Sequence, residues 1–320
     1  MDHVGPMARS IEDIAALLGV LAGSDNMDPR MSPESPTLSR VPHYLVNLQS
    51  WMAEKQEQRS WTTSMAAKGL RIGILAEGFE IARCDPGVAA VLNKAVERFR
   101  LLGADIRDVS IPLHKHGAAI WTVATRPMVA HFLAAKPPDL LAHTMPHLDP
   151  IPMGQHMYDT LANKNPAPLN MGLNAHQMEQ KYRNRLVRKA YMHIFELRAA
   201  YDNAFEQFDV LITPMTPTVG PKIPDGAYKT SQNPSGLSED IMDIFEPIIG
   251  NTLNTAPFNV SGHPAMSMPV GWASVRDGKG RLPVGLQMVA KRWDEASLLK
   301  AAKAWEVAGK MSMRSEIIDS

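Results

Sequence analysis

The chain has 320 residues, 45% hydrophobic and 21% charged, enough to bury a sizeable core as one large domain or two smaller ones. Its 33 basic and 33 acidic side chains cancel, so no net field draws it to nucleic acid or anionic lipid, and no Lys/Arg run announces a local patch. The single cysteine, Cys84, excludes an internal disulfide and a multi-cysteine metal site; it reads as a half-buried apolar residue in a reducing, cytoplasmic setting.

Ser10 precedes Ile11, Ile14, Leu17, Leu18 and Leu21, a spacing that predicts a capped helix ending at Gly23, with Asp13 completing a variant of the capping box. From Asn26 to Lys68 the chain is rich in Pro, Ser, Met and charge and reads as a surface connection, with a short helix around Leu45 to Gln58. Leu70–Ala76 and Ala104–Ile111 read as strands. Between them Asp85-Pro86 opens a helix carrying Val88, Val91, Leu92, Ala95 and Phe99, which Gly103 ends. Strand, helix and strand with short joints form a βαβ unit, which implies a parallel pair with a right-handed crossover.

A helix is expected around Gly117–Ala135, then a loop region rich in Pro, Asn and His. One long helix over His176–Phe208 follows from Met178, Tyr182, Leu186, Ala190, Ile194, Leu197, Tyr201 and Phe205. Asp209–Thr213 is a buried strand running into Pro214, and Glu239–Asn254 reads as a helix interrupted near Pro247. Ala265–Gly271 and Pro283–Ala290 are strands whose short polar connection, Trp272–Arg281, predicts an antiparallel hairpin; a final helix spans Glu295–Val307. The alternation of strands and helices predicts an α/β fold.

Residue chemistry alone defends no catalytic centre. Among eleven histidines, His114 and His116 form an HxH pair, and His143 and His147 are four apart with Pro146 between them. With no HExxH, they read as surface or loop histidines, and no metal or cofactor is expected. No GxGxxG follows Leu75 to cradle phosphates, and GxSxG is absent. Ser261 and His263 lie two apart across a Gly-Pro turn; residues so placed seldom face one another, so the pair reads as a turn rather than a dyad.

Four segments in order resemble the amidase-signature family: DHVGPMARS (2–10) with AGSDNMDPR (22–30); GLRIGI (69–74) with EGF (77–79); FDVLITP (208–214); and NTAPFNVSGHPAMSMPVG (254–271) with LPVGLQ (282–287). The likeness covers nearly the whole chain and is closest to amidases of small aliphatic or aromatic amides, more than to amidotransferase subunits. It implies a mixed sheet flanked by helices, and hydrolysis of carboxylic amides to acid and ammonia. The family's serine nucleophile, its second serine in a cis peptide and its lysine would form an acyl-enzyme, with backbone N–H groups holding the oxyanion. The family places those three residues ahead of the DHVGPMARS stretch, and no GSSGG-like run lies downstream. Residues 1–320 are therefore expected to be the C-terminal portion of a single amidase-signature domain, inactive alone and exposing apolar surface.

By the same resemblance Asp2 and Arg9 match a polar network beside the catalytic serines, or else form an ordinary surface pair. Trp121 falls at a pocket-lining aromatic position, or else is a core tryptophan. Asn254, Thr255, Ala256 and Pro257 would line the acyl pocket. The implied partner is a small-molecule amide substrate, with no nucleic acid and no membrane; a homodimer is left open. The rival readings are a pseudoenzyme or binding module that kept the scaffold, and an unrelated small-molecule-binding α/β protein of two similar lobes.

Overall fold

A computed structural model describes residues 3–25, 31, 34–58, 62–133, 152–164, 166–221, 252–275 and 280–309. The first helix, α1 (Ile11–Leu21), starts where Ser10 Oγ accepts the Asp13 N–H at 3.1 Å. It stops at Gly23, whose φ of +99° is the left-handed turn that glycine enters most easily. Then come α2 (Tyr44–Glu57), β1 (Arg71–Leu75), α3 (Ala76–Ala82), α4 (Pro86–Leu101) and β2 (Asp105–Val109). A short 3-10 turn, Pro112–His116, leads into α5 (Gly117–Leu133), followed by α6 (Gln155–Lys164), α7 (Ala167–Tyr182) and α8 (Arg185–Ala204). The remaining elements are β3 (Val210–Pro214), α9 (Ala256–Ser261), β4 (Ala265–Ser274), β5 (Arg281–Ala290) and α10 (Glu295–Val307).

The five strands form one mixed sheet in the order β2-β1-β3-β5-β4. β1 lies parallel to both β2 and β3, with Ile72 opposite Ile106 on one side and Val210 on the other. β5 runs antiparallel to β3 and to β4, so the expected βαβ unit and hairpin are both present. Side chains alternate across the sheet with the period of an extended chain. Ile72, Val210, Ile212, Leu286, Met288 and Ala290 face α4 and α10, where the Phe99 and Trp305 rings pack tilted at 42°, 5.0 Å between centres. Leu75, Leu211 and Val289 face the opposite layer, made by α5, α8 and α9 through Ile120, Leu197, Tyr201 and Phe258. A smaller cluster, Ala15, Tyr44, Leu48 and Leu299, joins α1 and α2 to α10.

Three sequence expectations change. The stretch after β1 is a helix of its own, α3, too short to show an apolar period. The single helix expected over His176–Phe208 is two, because the backbone breaks at Arg183, with φ +51° and ψ −145°, and Asn184. His114 is fully buried and His263 nearly so, which corrects their assignment to surface or loop. Val4 and Met7, ahead of α1, are each 94% exposed, and Val20 on the outer face of α1 is 81% exposed. Asp2, His143, His147 and residues 239–251 of the expected Glu239–Asn254 helix lie outside the described residues; residues 252–254 form a turn.

Candidate functional site at the strand ends

Ligands of parallel sheets bind beyond the carboxyl ends of the strands, because there the chain leaves the sheet and backbone groups become available. Here β1, β2 and β3 all end on one side, and each delivers polar groups to one buried cluster. β1 leads into α3 and Glu77, which is 5% exposed. Its carboxylate accepts the Ser110 hydroxyl at 2.5 Å and the Ile111 N–H at 2.8 Å, both from the segment after β2. Burial is the largest influence on Glu77 and raises its pKa, yet these hydrogen bonds together outweigh it and leave the carboxyl below its ordinary value.

His114 follows in the 3-10 turn. Its Nδ1 lies 2.6 Å from the Tyr201 hydroxyl and its Nε2 lies 2.9 Å from Asn254 Oδ1. The Asn254 amide is oriented by its other contacts: Nδ2 donates to the carbonyls of Gly78 at 3.0 Å and Pro214 at 2.9 Å. Oδ1 is therefore the acceptor facing His114, Nε2 carries the ring hydrogen, and Tyr201 donates to Nδ1. Burial pushes the His114 pKa down, against the opposing pull of Asn254 and Glu77, so the ring is neutral at neutral pH. Burial likewise drives the Tyr201 hydroxyl well above its ordinary value. Gln287, on β5, closes the network by donating from Nε2 to Thr213 Oγ1 and to the Asn254 carbonyl.

The structure brings most of the expected pocket residues together. Gly117 opens α5 against α9: a Cβ there would stand 2.5 Å from Pro257 Cγ, so only glycine permits this approach. Trp121 sits one turn further along α5, half-buried against the Tyr201–Phe258 core. Asn254 is buried with its amide fully engaged, Ala256 and Pro257 are buried, and Thr255 is half-buried. Arg9 is exposed on the segment before α1, and Asp2 lies outside the described residues. Glu77, His114, Tyr201 and Gln287 went unread in the sequence. Of these, the family-like segments EGF (77–79) and LPVGLQ (282–287) contained Glu77 and Gln287, without assigning either a role.

A second cluster corrects the reading of Ser261 and His263. Gly262 takes φ +78°, and the fold it allows sets His263 Nδ1 2.9 Å from Ser261 Oγ. His263 Nε2 lies 3.3 Å from Asp202 Oδ1, and Arg198 Nε donates to the Ser261 carbonyl at 2.9 Å. The side chains do face one another. Ser261 is fully buried, however, so its hydroxyl has no route to a carbonyl substrate, and the group ties α8 and α9 to the start of β4. His263 is lowered to about 4, by burial first, with Asp202 opposing. Among the described residues no three His, Cys, Asp or Glu side chains gather as a metal site, and no helix is long and apolar enough to cross a membrane.

Comparison with known proteins places this geometry. A glutamyl-tRNA(Gln) amidotransferase subunit from Prochlorococcus marinus is 26% identical over 319 residues, covering 96% of this chain and 55% of that protein. An enantioselective amidase from Rhodococcus rhodochrous is also 26% identical, over 96% of this chain and 53% of its own length. The chain thus spans about half the length of these relatives, and identity does not separate the two kinds. The crystal structure of a bacterial aryl acylamidase of the amidase-signature family superposes with a TM-score of 0.60 at 21% identity, over 95% of this chain and 52% of that one. The family profile described as Amidase matches residues 1–299. The chain belongs to the Amidase family, the amidase-signature proteins.

Proposed function

We propose that this chain forms the sheet and the acyl-pocket side of a cytoplasmic amide hydrolase that converts small aliphatic or aromatic amides to acid and ammonia. The observation that carries this is the convergence of the strand ends, the 252–255 turn with the start of α9, and Trp121 of α5 in a member of the Amidase family. In this reading Trp121, Thr255, Ala256 and Pro257 bound the acyl group, and Asn254 fixes the turn from beneath. Arg9 and Asp2 belong to the polar surround of the nucleophile. The serine nucleophile, the cis-peptide serine and the lysine are not among these residues, so the chain alone has no group to attack the amide carbon.

The test is ammonia release from acetamide and benzamide by rigorously purified chain. No turnover above buffer is expected, since loss of a nucleophile and its base removes about 10⁶-fold of rate in a serine protease. Supplying in trans the segment of an amidase relative that carries the lysine and both serines should restore release. Turnover by the chain alone that a serine-directed fluorophosphonate abolishes would overturn the reading. A non-catalytic binding role is the second reading. Saturable binding of benzamide with no restored turnover would select that role.

A further inference from the structure

The turn between α7 and α8 reads KYRNRLVRK, five cations in nine residues, which corrects the reading that no Lys/Arg run marks a local patch. Lys181, Arg183, Arg185, Arg188 and Lys189 are all exposed here. Lys181, Tyr182, Arg183, Arg185, Leu186 and Lys189 line a groove of about 650 Å³. Among the described residues none of the five cations lies within ion-pair distance of an acid. α7 carries one acid, Glu179, and α8 has none in its first turn.

A solvated cationic face is the ordinary explanation of such a run, but the spacing tells against it. Arg185 and Arg188 are three apart and Arg185 and Lys189 four apart, so like charges face one another along one side of α8. All three stand in the opening turns of the helix, where the helix dipole also disfavours cations. This repulsion would be relieved by an anionic occupant of the groove. Along the same two helices the run gives way to Glu179 on α7 and to Glu196 and Asp202 on α8, so the positive charge is concentrated at this turn. A long nucleic-acid strand would run off the patch onto mixed charge, whereas a short segment ends where the patch ends. Tyr182 and Leu186 add an apolar stretch to the floor of the groove.

We propose that the α7–α8 turn docks a short acidic segment of a partner protein. Its carboxylates would pair with Lys181, Arg183, Arg185 and Lys189, with one apolar side chain held against Tyr182 and Leu186. Arginine forks suit this role because a carboxylate can accept two parallel hydrogen bonds from each.

The experiment measures anisotropy of a fluorescein-labelled peptide of alternating glutamate and leucine against the full chain at low ionic strength. Saturable binding is expected, and it should fade near 1 M salt, where the screening length falls to about 3 Å. The pair Lys181→Glu/Arg185→Glu should weaken it about tenfold or more, and Lys181→Gln/Arg185→Gln should weaken it less. The pair Lys94→Glu/Lys291→Glu makes the same net-charge change at exposed sites elsewhere and should leave it unchanged. Circular dichroism would establish that each variant folds, and the glutamine pair stands in if the glutamate pair does not. Absence of binding overturns the proposal, as does equal weakening by the two glutamate pairs. Tighter binding of a single-stranded oligonucleotide of equal charge also overturns it.

Discussion

The Nε2–H of His114 donates to Asn254 Oδ1 at 2.9 Å across 140 residues of sequence, while Asn254 Nδ2 binds the carbonyls of Gly78 and Pro214. One amide thus ties together the ends of β1 and β3, the turn after β2, and the 252–255 turn. Asn254→Ala would strand two carbonyl oxygens and one ring N–H in a buried site. Each stranded group costs about 1–3 kcal/mol, with relaxation reducing the sum. A loss of about 3 kcal/mol is expected from denaturant unfolding, and an unchanged midpoint would refute the cross-brace.

Gly117 offers a test in which two effects oppose. Alanine in a helix is better than glycine by about 1 kcal/mol, and the Gly117 backbone is already helical, so propensity alone predicts a gain. The new Cβ, however, would lie 2.5 Å from Pro257 Cγ and 2.6 Å from Pro257 Cβ. Overpacking of this kind costs about 1–3 kcal/mol. Gly117→Ala should therefore lower the thermal midpoint, and a raised midpoint would show that α9 yields freely.

His263 makes stability depend on pH on the acid side. Its folded pKa is about 4, below the ordinary 6.5, so the unfolded chain takes up a proton before the folded one does. Its contribution is complete above about pH 6.5 and is lost as pH falls toward 4, a span worth at most about 3 kcal/mol. His114 is lowered too and acts in the same direction. His263→Gln should flatten the fall in unfolding free energy between those pH values, and parallel curves for the two proteins would contradict the assignment.

Arg183 occupies φ +51°, ψ −145°, a conformation that costs a side-chain-bearing residue about 1–3 kcal/mol. Glycine enters it without strain but loses more freedom on folding. Arg183→Gly should therefore stabilise the chain by about 1 kcal/mol, read as a rise in denaturant midpoint. A fall would mean that the arginine side chain makes a compensating contact.

Most of the sheet and several helices were legible because their signals are local. Ser10 and Gly23 bracket α1, the Asp85-Pro86 step opens α4, and a short polar connection joins β4 to β5. The α7–α8 break was hidden because Met178, Tyr182, Leu186 and Ala190 keep a helical spacing straight through Arg183, with no glycine or proline to mark it. α3 was hidden by its length, seven residues running on directly from β1. The polar cluster was hidden for a different reason. His114 looks like any loop histidine until Tyr201 and Asn254, 87 and 140 residues away, are brought against it. The 254–257 turn was found by family likeness, which supplied its neighbourhood but not the inward orientation of Asn254.

The position of β3 in the sheet governs the order in which the molecule can assemble. The β1–α4–β2 unit and the β4–β5 hairpin each close over short stretches of chain, and although α4 packs against the hairpin, the strands of the two units do not pair. Within the sheet β3 alone joins their strands, and its pairing with β1 begins where Arg71 meets Asp209, 138 residues along the chain. Contacts so distant in sequence form slowly, because the intervening chain must surrender its freedom before they repay it. A ribosome would therefore release β1 with one edge open and keep it waiting until more than a hundred further residues had emerged. Pulse-labelled hydrogen exchange during refolding should find β4 and β5 amides protected before those that β1 and β3 share. Simultaneous protection across all five strands would show instead that the sheet condenses in one step around its centre.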